Sequence, residues 1–440
     1  MKLFPPEQVR MCKNHRSDGA QAMSLFNAGN ARYAWVIVAL LVPVALLNYL
    51  DRQMLAAMKF SLMTDIPEIG SEANWGKILA LFKWTYALLS PFGGYLADRF
   101  SRRHVIAGSL IVWSAVTWAT GQVTTYDGLL ATRAVMGFSE AFYIPAALAL
   151  IADYHRGSTR SRAVGLHQIG IYAGVIIGGF SGYAADHPAL GWRWMFEVCG
   201  IAGLLYAVPL FMLVRNRPDQ SAEPVRASPA GALRELLTNP SFLLLVLYFT
   251  LPAMAGWIVR DWMPAILKTE FGIGQGKAGV SATIYWMLAA VLSALAGGWL
   301  ADHWMQRTPR GRIYTSALGM GLIVIAMIGV GYSPQTGLLG VAIAFLILFG
   351  LGWGLFDSNN MPILCQVTRP HLRATGYGLM NMVSISCGGL ADLGFGVLRD
   401  RHVPLMMIFG VFASIALVSI VLVLLIQPRQ LDAENAPIAH

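Results

Sequence analysis

Charge is the scarcest property of these 440 residues. Only 12% are Asp, Glu, Lys or Arg, about half the share usual in a soluble domain, while 56% are hydrophobic. The long apolar stretches also lack polar stripes, which argues against an amphipathic soluble fold. Cysteine is scarce too. Cys12, Cys199, Cys365 and Cys387 show neither disulfide nor metal-ligand spacing, and three of them lie in apolar segments, where they read as packing. There is no His/Cys metal cluster, no Walker lysine motif and no nucleophile elbow. Gly350-x-Gly352-x-Gly354 lacks the strand–helix setting of a nucleotide loop. An enzyme, an ATP-driven pump, a metal site and a bound cofactor are all disfavoured. Residues 1–31 contain no apolar signal-peptide core, and the sequence allows a start at Met1 or Met23. Acids are fewer than bases, for a net charge of +9; in a membrane protein that excess reflects topology, not nucleic-acid binding.

What is abundant is apolar helix, so the expected fold class is an all-α membrane protein. Twelve stretches are long enough to span: about 33–57, 76–97, 104–121, 127–152, 161–184, 193–214, 240–268, 277–301, 312–332, 337–366, 373–396 and 403–427. Several exceed 20 residues, which implies tilt or protruding ends. The N-terminal tail and the alternate loops 98–103, 153–162, 215–239, 302–312, 367–373 and 428–440 hold 21 of the 32 Lys and Arg. The opposite loops hold seven and the spans four. The charge-rich side, with both termini, is expected to be cytoplasmic. The chain also repeats. Gly94-Tyr95-Leu96-Ala97-Asp98 after span two returns as Gly298-Trp299-Leu300-Ala301-Asp302 after span eight. Arg162-Ala163-Val164-Gly165 returns as Arg373-Ala374-Thr375-Gly376. The expected organisation is a tail (1–32), a six-helix half (33–214), a linker rich in Pro, Ser and Arg (215–239), a second half (240–427) and a tail (428–440). Repeated halves around a central site characterise transporters.

Ionised groups inside spans are costly and usually functional. Asp51 lies roughly 27 Å along span one, and Arg133 roughly 9 Å below the outer surface in span four. Across a hydrocarbon core about 30 Å thick they fall near one depth and can pair if the helices adjoin. Glu140 follows Arg133 by about two turns on the same face. Lys83 is roughly 10 Å into span two, with Tyr86 on its face. The functional reading makes Arg52 the anion-binding group, because its fork of donors matches a carboxylate; Lys83 assists as a point charge. Asp51 and Glu140 then carry protons, since burial and neighbouring cations act on a carboxyl in opposite senses. A substrate anion competing for Arg52 or Arg133 shifts that balance. The alternative is a static ion-pair network that holds helices together.

The loop Gly94-x-Leu96-Ala97-Asp98-Arg99-x-Ser101-Arg102-Arg103 resembles the signature of the major facilitator superfamily, with Ser where Gly is usual. A weaker copy runs from Gly298 to Asp302, followed by Arg307, Arg310 and Arg312. Within that superfamily, three stretches resemble the anion:cation symporter family: Asn48-Tyr49-Leu50-Asp51-Arg52, then Arg133-x-x-x-Gly137-x-x-Glu140-Ala141 with Pro145, and Gly191-Trp192-Arg193-x-x-Phe196. That family includes galactonate, hexuronate and related organic-anion transporters, typically coupled to protons. Spinster-like lipid carriers share the motifs at Asn48 to Arg52 and at Gly137 to Ala141, so the motifs do not fix the substrate. The resemblance implies the major facilitator fold, alternating access, and a cytoplasmic gate latch at Asp98 and Arg102, with Asp302 in the repeated copy.

Weaker candidates complete the expected site. Gln168 in span five can bind a substrate hydroxyl or another helix, and His167 beside it can relay protons to Glu140 or simply pack. Asp357-Ser358-Asn359-Asn360 before Met361-Pro362 suggests a broken helix lining a cavity. Asn381 in span eleven is a further substrate candidate, and the C-terminal half is expected to contribute aromatics such as Trp353 and Tyr377, while Arg260-Asp261 reads as a local pair or an outer-gate element. The expected substrate-binding set is Tyr49, Arg52, Lys83, Tyr86, Gln168, Asn359, Asn360 and Asn381, and the expected proton-coupling set is Asp51, Arg133 and Glu140. The expected function is proton-coupled symport of a small organic anion, a sugar acid, by a monomer in the inner membrane of a bacterium. Protons are the only coupling ion, membrane lipid the surroundings, and nucleic acid no partner. The runner-up is a Spinster-like lysolipid or amphiphile carrier, against which the polar lining argues. A non-transporting sensor is the more distant rival.

Overall fold

The computed structural model describes residues 6–155, 159–215, 229–369 and 372–428, except the side chains of 6–31, 93–99, 161, 229 and 230. Every regular element among these residues is helical. The order is α1 (Pro6–Ala57), α2 (Lys59–Asp65), a 3-10 turn (Pro67–Ile69), α3 (Glu72–Arg99), α4 (Arg102–Gln122), α5 (Tyr126–Glu140), α6 (Tyr143–Tyr154), α7 (Arg160–Gly179), α8 (Ser181–Asp186) and α9 (Gly191–Leu213). Then come α10 (Pro229–Leu237), α11 (Pro240–Phe271), α12 (Gln275–Met305), α13 (Gly311–Thr336), α14 (Leu339–Val367), α15 (Arg373–Asp400) and α16 (Leu405–Leu425). Among the described residues, eleven stretches are long and apolar enough to cross a membrane, α5–α6 forming one and α7–α8 another. α3 has 28 residues, about 42 Å, and takes second place in the expected order of twelve. α11 and α12, at 32 and 31 residues, outrun a hydrocarbon core of about 30 Å, so their ends protrude.

Two breaks have local causes. The expected span 127–152 is interrupted at Ala141 and Phe142. Pro145 has no N–H to donate to the carbonyl of Ala141, and its ring crowds that carbonyl. Glu140 therefore ends α5, at the bend. The reverse holds in α14, where the expected broken helix at Asp357 to Asn360 does not occur. α14 runs unbroken from Leu339 to Val367 with Pro362 inside it. The polar run is absorbed by its own helix: Asn359 Nδ2 donates to Leu355 O at 2.9 Å and to Ser358 Oγ at 3.3 Å.

Small residues bring the helices together. Along α7, a Cβ on Gly170, Gly174 or Gly178 would come within 2.2 to 2.8 Å of a carbonyl oxygen of α1, at Val42, Leu46 or Leu50. One turn separates these glycines, so they form a stripe against which α1 lies backbone to backbone. α3 and α15 meet as closely, a Cβ on Gly76 being 2.5 Å from Asp392 O and one on Gly396 2.3 Å from Glu72 O.

Two sets of helices follow the chain, α1–α9 and α11–α16. Among the described residues, the hydrogen bonds joining them lie toward the ends that carry Glu72, Asp186, Gly272 and Asp400. Asp400 accepts from the backbone N–H groups of Glu72 and Ala73, both at 2.9 Å. Gln275 accepts from Phe60 N at 3.1 Å and donates to Ser61 Oγ at 2.7 Å and Asp186 Oδ1 at 3.0 Å. Lys59 pairs with Glu72 in the same seam. Burial pushes its ammonium below the ordinary lysine value, and Glu72 opposes that shift. Deeper along this seam, Trp84 Nε1 donates to Ser386 O at 3.1 Å.

Candidate functional site

Asn48 to Gln53 place four polar side chains, Asn48, Asp51, Arg52 and Gln53, near the C-terminal end of α1, and successive residues point about 100° apart around the helix. Asp51 and Arg52 therefore meet different partners. Asp51 Oδ1 accepts from Arg133 Nη1 at 3.3 Å, and its other oxygen accepts from the Thr117 hydroxyl. Arg133 Nη2 donates to Thr120 Oγ1 at 3.0 Å. All four side chains are buried. Depth matching in the sequence anticipated the Asp51–Arg133 pair; the two α4 threonines that complete it carry no charge to mark them.

Arg52 turns to Glu140. Its Nε donates to Glu140 Oε2 at 2.7 Å, and Nη2 lies 2.6 Å from the same oxygen. Nη2 also donates to Asn48 Oδ1 at 3.3 Å. The guanidinium is boxed by three rings, at 4.7 Å from Phe82, 4.8 Å from Tyr49 and 4.9 Å from Tyr86. Glu140 Oε1, Asn48 Nδ2 and Arg133 Nε are buried without hydrogen-bond partners, so the ion pairs leave polar capacity unused. Arg52 lines a small cavity together with Leu55, Leu79, Phe82, Lys83, Arg133, Trp257, Arg260 and Asp261.

Lys83 spans the two sets of helices. Its ammonium donates to Asp261 Oδ2 of α11 at 2.5 Å and to Asp392 Oδ2 of α15, and it sits 4.3 Å from the Trp257 ring. Trp262 Nε1 fixes the other Asp392 oxygen at 3.2 Å. The sequence reading gave Lys83 to the substrate; here it is held by two carboxylates. The sequence reading does not single out Asp392, although an acid inside span eleven is the same signal that marks Asp51. Arg260, beside Asp261, faces the Tyr49 ring at 5.0 Å and belongs to the cavity wall.

The remaining candidates scatter. His167 Nε2 lies 2.9 Å from Tyr143 OH, which donates to Leu41 O at 3.0 Å; the described contacts bring His167 to Tyr143. Gln168 is half-buried on α7 and neighbours Tyr172, while Asn381 is half-buried on α15 and neighbours Tyr377. Asn359 is spent on its own helix, and Asn360 is buried near Asp357. Trp353 packs between Trp286, Phe349 and Phe356. Of the gating residues, the Asp98 side chain lies outside the described residues. Arg102 pairs with Asp153 and donates to Ala149 O at 3.1 Å, and Asp302 pairs with Arg312 at 3.2 Å. These pairs each stay within one set of helices.

The comparisons with known proteins agree with this architecture. The family model described as Major Facilitator Superfamily matches residues 41–391. Protein spinster of Drosophila melanogaster is 28% identical over 380 residues, covering 81% of this chain and 60% of its own. Protein spinster homolog 1 of Homo sapiens is 32% identical over 271 residues, covering 59% and 50%. The chain thus spans half to three-fifths of the length of these relatives. An MFS-type efflux pump of Mycolicibacterium smegmatis is 27% identical, covering 84% and 85%. The crystal structure of a bacterial homolog to the human lysosomal transporter Spinster, inward-facing and unoccupied, matches with a TM-score of 0.72 at 20% identity, covering 89% of this chain and 95% of that one. With its helical architecture and a family match over most of its length, this chain belongs to the Major Facilitator Superfamily.

Proposed function

We propose that the chain is a secondary active transporter that carries a small organic anion, a sugar acid such as a hexonate or hexuronate, together with protons. The observation that carries this reading is the buried Arg52–Glu140 pair, whose arginine lines the cavity. A substrate carboxylate offers Arg52 the same acceptor oxygens that Glu140 offers now. An anion that takes Arg52 leaves Glu140 a buried carboxylate without its cation, a state relieved by taking up a proton. Arg133 and Asp51 form the second acid–base pair beside it. Tyr49 and Tyr86 frame Arg52; Gln168, Asn360 and Asn381 lie outside the cavity lining and would reach the hydroxyls of a sugar acid only after the helices move.

In this reading the halves 33–214 and 240–427 rock around the site, in the inner membrane of a bacterium, as a monomer with both termini cytoplasmic. The seam at Glu72 and Asp400 is then the external seal. Asp98, Arg102 and Asp302 latch the cytoplasmic face in the alternate state. A second reading, an anionic amphiphile as cargo, is supported by the similarity to spinster proteins and by the apolar walls Leu55, Leu79, Phe82 and Trp257. Thermal stabilisation by hexuronates against lysolipids separates the two cargoes. Proton coupling is tested in reconstituted vesicles with an imposed pH gradient. Glu140→Gln mimics the protonated acid and is expected to bind substrate yet lose uphill uptake. Accumulation with wild-type pH dependence in that variant would remove Glu140 from the coupling mechanism.

A further inference from the structure

Four cations lie well inside the spans, away from their ends, and three are held by carboxylates at 3.3 Å or less: Arg52 by Glu140, Arg133 by Asp51, and Lys83 by Asp261 and Asp392. Arg260 is different. Its ion-pair contact is 4.0 Å, from Nε to Asp261 Oδ1, and Lys83 already engages that carboxylate through Oδ2. Nε and Nη2 of Arg260 are buried without hydrogen-bond partners, and the side chain is only 10% exposed. Orphaned donors on a buried charge are costly. The guanidinium is nonetheless well placed, lying 5.0 Å from the Tyr49 ring and 5.5 Å from the Trp257 ring. Tyr49 also carries Arg52, at 4.8 Å, and both arginines line one cavity.

We propose that Arg260 is a second anion-binding residue of this cavity, contributed by α11 opposite Arg52 of α1, and that it takes a two-oxygen anionic group, a carboxylate or a phosphate. This rests on the anion-transport reading and adds the cation that reading lacked on the C-terminal set of helices. The guanidinium fork matches such a group in two parallel hydrogen bonds, and the orphaned Nε and Nη2 are the donors it would fill. An anion held by Arg52 and Arg260 together ties the two sets of helices through the cargo. It also draws Arg260 from Asp261, leaving Lys83 as the one cation shared by Asp261 and Asp392, so occupancy of the cavity is felt in the contact between α3, α11 and α15.

The test measures thermal stabilisation and equilibrium binding in purified full-length protein with three probes: glucuronate, lysophosphatidate and inorganic phosphate. Glucose and a neutral lysolipid serve as uncharged controls. Arg260→Gln is expected to weaken the anion that binds wild type at least tenfold and to leave the controls unchanged. Arg260→Lys is expected to recover part of the loss. Which probe responds identifies carboxylate or phosphate cargo. If Arg52→Gln loses anion binding while Arg260→Gln binds like wild type, the Arg260 assignment is overturned and the transport reading stands. If no anion binds wild type, both are overturned. If Arg260→Gln is unstable without ligand and Asp261→Asn restores it, Arg260 is the structural partner of Asp261 and the proposal fails.

Discussion

Arg52 is held by one carboxylate and three rings, and both kinds of contact depend on a flat, forked cation. Arg52→Lys keeps the charge and loses the fork and the stacking plane. Anion binding is expected to fall at least about tenfold, roughly 1.4 kcal/mol. Isothermal titration with the proposed anion measures this, and wild-type affinity in Arg52→Lys would mean that Arg52 does not hold it. At this scale the sequence was readable only along one axis. Depth along a helix follows from residue count, so Asp51 and Arg133 can be set at one level, and the structure joins them at 3.3 Å. Rotation around the helix relative to an unknown neighbour does not follow, so the Arg52–Glu140 partnership was not foreseen. Nor were the partners of Lys83, one of which lies 309 residues away in the chain.

At the scale of the element, helices and their order followed from apolar runs and loop charges, whereas breaks depended on where single residues fell. Pro145 ends α5 because its missing donor coincides with Ala141; Pro362 leaves α14 intact. The glycine stripe of α7 allows a paired test. A methyl at Gly174 would come 2.2 Å from Leu46 O, while one at Gly165 meets nothing within 4 Å. Gly174→Ala is therefore expected to destabilise, by about 1–3 kcal/mol for an overpacked contact. Gly165→Ala is expected to be neutral or to stabilise by up to about 1 kcal/mol through helix propensity. Thermal unfolding in detergent compares them, and equal melting temperatures would show that α1 and α7 tolerate separation.

For the whole molecule, the contact between the two sets of helices on the Glu72–Asp400 side is organised around a buried lysine. Lys83→Met would leave Asp261 and Asp392 without their shared cation, a loss of about 3–5 kcal/mol for a broken buried pair. The seam is expected to open more often. A cysteine at the cavity residue Leu79 should then react several-fold faster with an impermeant maleimide applied to that side. An unchanged rate would mean that backbone contacts such as those of Gly76 and Gly396 hold the seam without help from charge.

The aromatic box around Arg52 has a consequence for how the protein responds to its medium. Mobile ions weaken attraction between charges that water separates, over a distance of about 8 Å at physiological ionic strength. Arg52 and Glu140 sit behind Tyr49, Phe82 and Tyr86, where salt has little access. Asp302, by contrast, is 71% exposed beside Arg312. Raising the ionic strength therefore acts unequally on the two ion pairs: it loosens Asp302–Arg312 and spares Arg52–Glu140. If the cavity takes an anion as proposed, its hold by Arg52 is expected to vary little with salinity, and what drifts is the exposed pair between α12 and α13.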